Sequence, residues 1–176
     1  TTLSEPSEGT AKVAGYDIRT QADEVRRRIG LVAEKLIIYP RLSAVENLTF
    51  FGELYGINGG QLRRRIDELL RMVQLEAFKD MPVGSYSSGM RQRVNIMRGL
   101  LHDPEVLFLD EPTTLLDPQS IRFVRDLIKE LNHDGKTIIL TTHIMEEADE
   151  LSHTTGIIDH GKIIACLLYT SDAADE

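Results

Sequence analysis

Three short apolar runs in the sequence end at side chains suited to phosphate chemistry. They end at Glu34, at Asp110 and Glu111, and at His143. A paired Asp-Glu offers one carboxylate to a magnesium ion and a second to orient or deprotonate an attacking water. A histidine at a neighbouring strand end can donate to a phosphate as negative charge builds on it. These residue types predict magnesium-assisted phosphoryl transfer.

A second group of residues is suited to holding an anion. Ser87, Ser88 and Gly89 lie in the stretch SYSSGMRQRV, directly before a basic amphipathic helix. Backbone N–H groups at a helix start favour phosphate, and small residues let the phosphate come close. The same residues also suit an ordinary N-cap and turn, so the loop alone leaves both interpretations open.

Strands and helices alternate along the chain. Apolar runs predict strands at 11–18, 29–33, 105–109 and 137–142, and a hairpin at 156–164 around His160 and Gly161. Helical periodicity and capping residues predict helices at 43–55, 61–75, 90–101, 118–132 and 145–151. The first of these helices carries a capping box from Ser43 to Glu46. We therefore expect an α/β domain with a largely parallel sheet and a helical insert at about 40–104.

Such an arrangement brings the chemical residues together. Ligands of open parallel sheets bind at the carboxyl ends of the strands. Because Glu34, the pair at 110–111 and His143 each follow a predicted strand, we expect them to meet at one edge of the sheet.

Composition narrows the class of protein. The 176 residues, 41% of them hydrophobic, are enough for one substantial core. A net charge of -8 argues against general nucleic-acid binding, and no run is long and apolar enough for a membrane span. The single cysteine, Cys166, excludes a disulfide within the chain. The last residues, 166–176, resemble a translated sequencing adapter, so we expect a non-native tail there.

The motifs resemble those of the ATPase subunit of ATP-binding cassette (ABC) transporters. Residues 86–90 match the signature L-S-G-G-Q, 106–111 the Walker B strand and 114–117 the D-loop, while Glu34 falls at the Q-loop and His143 at the switch histidine. The resemblance covers residues 1–165. The segment 39–56 is similar, more narrowly, to the drug- and polysaccharide-export type.

This resemblance implies a P-loop NTPase-like, RecA-like fold that uses ATP and Mg²⁺. Glu111 would be the general base and His143 would hold the γ-phosphate, both as catalytic residues. Asp110 and Glu34 would be the residues that bind the metal ion. The implied ATP-binding residues are Ser87, Ser88, Gly89, Gln92 and Asp117.

The resemblance also implies partners. A second ATPase subunit, identical or different, would complete a head-to-tail dimer with two shared ATP sites. An integral membrane permease would be the second partner, with the ATPase on the cytoplasmic, inner face of the cell membrane. The implied function is ATP hydrolysis coupled to export.

The sequence departs from the family pattern at four places. Glu34 stands where glutamine is usual, Ser88 replaces a signature glycine, and Leu115 is bulky for a D-loop. The loop G-x-x-x-x-G-K-[ST], called Walker A, does not occur, although it cradles the β- and γ-phosphates. We expect residues 1–165 to be an incomplete domain that lacks the N-terminal part of the fold and is itself inactive.

Two other functions fit parts of the pattern. A soluble ATPase of the same fold in DNA repair or translation would carry tandem cassettes, coiled coils or basic arms. A non-catalytic nucleotide-sensing domain would have lost one of Asp110, Glu111 or His143, all of which are present.

Overall fold

The computed structural model describes residue 2 and residues 4–168. Its helices are α1 Ala22–Arg28, α2 Ala44–Leu54, α3 Gly59–Met72, α4 Ser88–Leu100, α5 Pro118–His133 and α6 Met145–Leu151. Its strands are β1 Lys12–Val13, β2 Tyr16–Asp17, β3 Ile29–Val32, β4 Val106–Asp110, β5 Thr137–Thr141, β6 Thr154–Asp159 and β7 Lys162–Leu168.

A three-stranded parallel sheet in the order β3-β4-β5 lies at the centre. Val32 pairs with Leu109, and Asp110 pairs with Thr141, so the three strands finish at the same edge. The predicted α/β architecture with a parallel sheet is confirmed. Asp110 lies at the carboxyl end of β4, and Glu34 and His143 follow the ends of β3 and β5 by two residues.

The strands differ in burial. Three residues of β4 are buried, and Leu107, which has no exposed surface, lies with Leu109 in the main hydrophobic core. The apolar run at 137–142 is typical of a buried strand, but that expectation is wrong for β5: Thr137 and Thr141 are exposed, and Ile139 is 44% exposed. Among the described residues, β5 pairs on one side only, with β4, and this edge position explains its exposure.

Helices α2, α3 and α4 form the helical part between β3 and β4. The predicted capping box begins α2, since the Ser43 side chain accepts from the Glu46 backbone N–H and the Glu46 carboxylate accepts from the Ser43 N–H. Leu48, Leu69 and Met97, one from each helix, are fully buried in the same core. The 40–104 boundary of this subdomain stays a prediction.

The amino-terminal region differs from the prediction. A hairpin replaces the single strand expected at 11–18, because Ala14 and Gly15 adopt positive φ angles of 49° and 82° and reverse the chain. The sequence reading also missed α1, a short helix that carries ion pairs from Glu24 to Arg27 and Arg28.

The carboxyl-terminal hairpin is confirmed. Strands β6 and β7 pair around His160 and Gly161, and β7 extends to Leu168. Residues 166–168 of the predicted tail therefore pair with β6, whereas 169–176 lie outside the described residues. Among the described helices, none combines the length and apolar character needed to cross a membrane.

Candidate functional site

The strand ends place Glu111 in an unusual backbone conformation. β4 ends at Asp110, and Glu111 has a φ of 48°, in the left-handed region that non-glycine residues rarely adopt. Its backbone N–H donates to the Thr141 carbonyl at 3.0 Å, which ties the turn to the end of β5. The Thr141 hydroxyl donates to Asp110 Oδ1 on the neighbouring strand. Asp110 and Glu111 therefore lie next to each other at the end of β4, and each is tied to Thr141 at the end of β5.

Glu111 and His143 are in direct contact. His143 Nδ1 lies 2.8 Å from Glu111 Oε2, and the Thr114 hydroxyl donates to the same oxygen at 3.1 Å. The Glu111 side chain is 22% exposed and that of His143 is 72% exposed. Two donors thus orient the carboxylate while the imidazole remains open to solvent.

The charges around His143 favour its protonated form. The hydrogen bond and the negative charge of Glu111 raise the pKa of His143, and the charges of Glu147 and Glu34 raise it further. Val32 pairs with Leu109, and Leu109 pairs with Leu140, so the ends of β3, β4 and β5 lie side by side. The structure therefore brings Glu34, Glu111 and His143 together at one edge, as the sequence predicts.

The carboxyl-terminal edge of the parallel sheet offers too few carboxylates to bind magnesium alone, so phosphate oxygens would have to complete the coordination shell. Among the residues that the structure describes, no three His, Cys, Asp or Glu side chains form a group that could hold a metal ion. Mg²⁺ commonly uses one or two carboxylates and completes its shell with water and substrate phosphates. Asp110, which is exposed at the strand end, and Glu34 fit that donor set.

The serine loop forms the start of α4. Ser87 is the N-cap, and its side chain accepts from the Met90 N–H at 3.2 Å. Helix α4 begins at Ser88, earlier than the position 90 predicted. The first-turn N–H groups and the partial positive charge of a 13-residue helix lie at this end. Both interpretations of the loop, as cap and as anion site, remain compatible with this geometry.

Gly89 packs directly against α5. A Cβ on Gly89 would lie 2.0 Å from Ser120 Oγ and 2.6 Å from Ser120 Cβ. The Ser120 hydroxyl in turn donates to Asp117 Oδ2 at 2.6 Å. A glycine is required here because the starts of α4 and α5 approach too closely for a side chain.

Asp117 and Gln92 make contacts within the chain. Asp117 caps α5, and its hydrogen bonds from Ser120 lower the pKa of its carboxyl. Gln92 is 6% exposed, and its amide donates to the Pro112 carbonyl at 2.8 Å. The Gln92 side chain thus links α4 to the loop after β4, and its implied contact with ATP stays a prediction. The nucleotide contact of Asp117 stays a prediction.

Sequence reasoning missed a polar ladder between α4 and β3. Asn95 donates to the Ala33 carbonyl, Arg98 to the Leu31 carbonyl at 2.8 Å, and the His102 ring lies 2.9 Å from the Ile29 carbonyl. The three carbonyls belong to alternate residues, so they face the same edge of β3. Asn95 and Arg98, which lie among the apolar residues of α4, and His102 just after the helix were the available signal. The ladder joins the helix that begins at the serine loop to the strand that leads to Glu34.

The chain is similar in sequence to known ATP-binding proteins. The family model described as ABC transporter matches residues 1–114. The linearmycin resistance ATP-binding protein LnrL of Bacillus subtilis is 42% identical over 158 residues, which cover 89% of this chain and 50% of that protein. The ABC transporter ATP-binding protein NatA of the same organism is 41% identical over 92% of this chain and 66% of its own length.

A third relative and a solved structure extend the comparison. The Nod factor export ATP-binding protein I of Cupriavidus metallidurans is 40% identical over 93% of this chain and 54% of its own length. The dimeric ATP-binding cassette MJ0796 bound to ADP and Pi matches with a TM-score of 0.81 at 28% identity, over 95% of this chain and 76% of that one. The chain thus spans half to two thirds of the length of these curated relatives.

Proposed function

The chain belongs to the ABC transporter family, and on that premise we propose that it is part of an ATP-hydrolysing subunit that drives export through a membrane permease. The observation that carries the proposal is the contact between Glu111 and His143 at the end of the parallel sheet. The names of the relatives, which include a drug-resistance protein and a Nod factor export protein, support the export type.

We propose that Glu111 is the general base. A general base must lie within hydrogen-bond distance of the attacking water, here through its carboxylate. The Glu111 side chain is mostly enclosed, and donors from Thr114 and His143 orient its carboxylate and limit its rotation. Its second oxygen, Oε1, is then the atom that would accept the proton of a water.

His143 would act on the phosphate that is being transferred. Its Nδ1 contacts Glu111, which leaves Nε2 for a phosphate oxygen. The raised pKa of His143 favours the imidazolium form, and a protonated ring binds an anionic oxygen more strongly than a neutral ring does. The exposure of the ring allows a ligand to reach it.

Asp110 and Glu34 would hold Mg²⁺. When bound, the ion would neutralise charge on the phosphates and fix their orientation. Glu34 brings a full negative charge where the family pattern has a neutral glutamine. Asp110 is itself held through the hydroxyl of Thr141, so its orientation is set before any ligand binds.

The serine loop would bind an ATP held by a second subunit. Ser87, Ser88 and Gly89 present a helix start that favours a phosphate group. The dimeric form of MJ0796 supports an arrangement in which two subunits share sites. The subunit would then lie on the inner face of the membrane through its permease.

We further propose the domain limits that the sequence indicates. Residues 1–165 would form part of the ATPase domain, with 40–104 as its helical subdomain. Residues 166–176 would derive from adapter sequence.

The replacement Glu111→Gln in the full-length protein tests the catalytic assignment. The amide keeps the size of the side chain but is a poor base, so ATP binding should persist while turnover falls by about 100-fold or more. Binding is followed by equilibrium titration with ATP and turnover by phosphate release. Glu130→Gln, a change at an exposed carboxylate on α5, is the matched control. Ordinary turnover in Glu111→Gln would exclude Glu111 as the base.

A further inference from the structure

A fully buried carboxylate lies behind the proposed site. Glu147, on α6, has no exposed surface. Its Oε1 accepts from the Thr113 hydroxyl at 2.8 Å, whereas its Oε2 has no hydrogen-bond partner among the described residues. Burying a carboxylate with an unsatisfied oxygen costs free energy, so the presence of Glu147 at this position needs an explanation.

The nearest cation does not fully compensate this charge. Arg125 Nε lies 3.7 Å from Glu147 Oε1, beyond hydrogen-bond distance, and also lacks a partner in the described part of the chain. The guanidinium of Arg125 instead donates to Glu150 at 2.8 Å, and Lys129 binds the same carboxylate at 2.7 Å. The short hydrogen bond of Glu147 is therefore the one to Thr113.

Thr113 lies in the loop that determines the position of Glu111. It is 3% exposed and follows Glu111 by two residues. The left-handed conformation of Glu111 is unfavourable for a residue with a side chain, so the surrounding contacts must offset its cost. Gln92 holds Pro112 from α4, and Glu147 holds Thr113 from α6. The loop is thus attached to two helices immediately after the strained residue.

Glu147 also lies close to the other member of the catalytic pair. It follows His143 by four residues, and its backbone N–H donates to the Ile144 carbonyl in the turn that links His143 to α6. Glu147 is therefore attached to the segment after Glu111 through its side chain and to the segment after His143 through its backbone.

We propose that Glu147 is a positioning residue that, through its hydrogen bond with Thr113, holds Glu111 in contact with His143. This inference rests on the proposed function, because it assigns the Glu111–His143 pair a catalytic role. Neither Glu147 nor Thr113 would touch the nucleotide.

The test uses Thr113→Val, which removes the donor and keeps the charge of Glu147. In the present chain, the pKa of His143 is measured by NMR titration, since it reports the contact with Glu111. The charged groups that act on the ring are Glu111, Glu147 and Glu34, and all three remain in this variant. We expect the pKa of His143 to fall towards the value found in Glu111→Gln.

Two further variants complete the comparison. Thr113→Ser keeps the hydroxyl and should restore the wild-type pKa. Thr154→Val, at an exposed position of β6, makes the same chemical change away from the site and should leave the pKa unchanged. If Thr113→Val fails to fold, Thr113→Ala provides the same loss of the donor with less change in shape.

The catalytic readout uses the full-length protein. There, Thr113→Val should lower kcat by on the order of 10- to 100-fold with little change in KM for ATP, and Thr113→Ser should restore kcat. A wild-type pKa of His143 in a folded variant without the hydroxyl would overturn the positioning role, whatever the ATPase rate. Absence of ATP hydrolysis in the wild-type full-length protein would instead overturn the proposed function.

Discussion

The replacement Gly89→Ala tests the close contact between the starts of α4 and α5. The added Cβ would lie 2.0 Å from Ser120 Oγ, where real contacts of this kind do not occur, so a backbone or side chain must move. Moving Ser120 would disturb its 2.6 Å hydrogen bond to Asp117, the residue that caps α5. The substitution therefore affects the ends of two helices at once.

The magnitude follows from three opposing contributions. Overpacking of this kind costs about 1–3 kcal/mol, and loss of the Ser120 hydrogen bond adds about 1 kcal/mol. Because alanine has a higher helix propensity than glycine, the substitution also stabilises the helix by about 1 kcal/mol. The free energy of unfolding should thus fall by about 1–3 kcal/mol, as measured by urea titration of the purified chain with an unchanged m-value.

Two further variants make the measurement decisive. A Cβ on Gly60, in α3, would meet no atom closer than Arg64 Nη1 at 4.0 Å, so Gly60→Ala should increase stability. Ser120→Gly removes both atoms that clash with the new Cβ, so the double variant should lose less stability than the sum of its single variants. A Gly89→Ala chain as stable as wild type, or an additive double variant, would refute the contact.

Three other changes have defined outcomes. Leu115 is 92% exposed and has a φ of 63°, so Leu115→Gly in the full-length protein should relieve backbone strain and remove bulk at the proposed contact between subunits. ATP turnover should therefore rise, and unchanged turnover would exclude this role of Leu115. Ser43→Ala removes the capping box of α2 and should cost about 1 kcal/mol in urea unfolding, whereas a loss near zero would contradict the cap's contribution. Burial lowers the pKa of His102 below its ordinary 6.5, so the neutral ring stabilises the fold above pH 6.5 and that stability is lost as the pH falls below this value. His102→Gln should therefore lose less stability than wild type between pH 7.5 and pH 5.5, and equal losses would exclude His102 as a source of the acid sensitivity.

Much of the fold and part of the site could be predicted from local sequence patterns. Apolar runs followed by Glu34, Asp110 and His143 located three strand ends, because a parallel sheet aligns its carboxyl ends. Ser43 and Asp117 located helix starts, because a cap depends on residues only two or three positions away. Each of these features is marked by residues that are close in the chain, namely an apolar run with the residue after it, or a cap with its helix start.

Other features depended on tertiary packing. The sequence does not indicate that Gln92 would be buried against Pro112, that Gly89 would face Ser120, or that Thr113 would reach Glu147, since each pair is separated by 20 residues or more. The sequence by itself determined which residue types stand at the strand ends and helix starts. Only the three-dimensional structure decided which of them touch, because burial, close contact and the cost of an unsatisfied charge arise when distant segments pack.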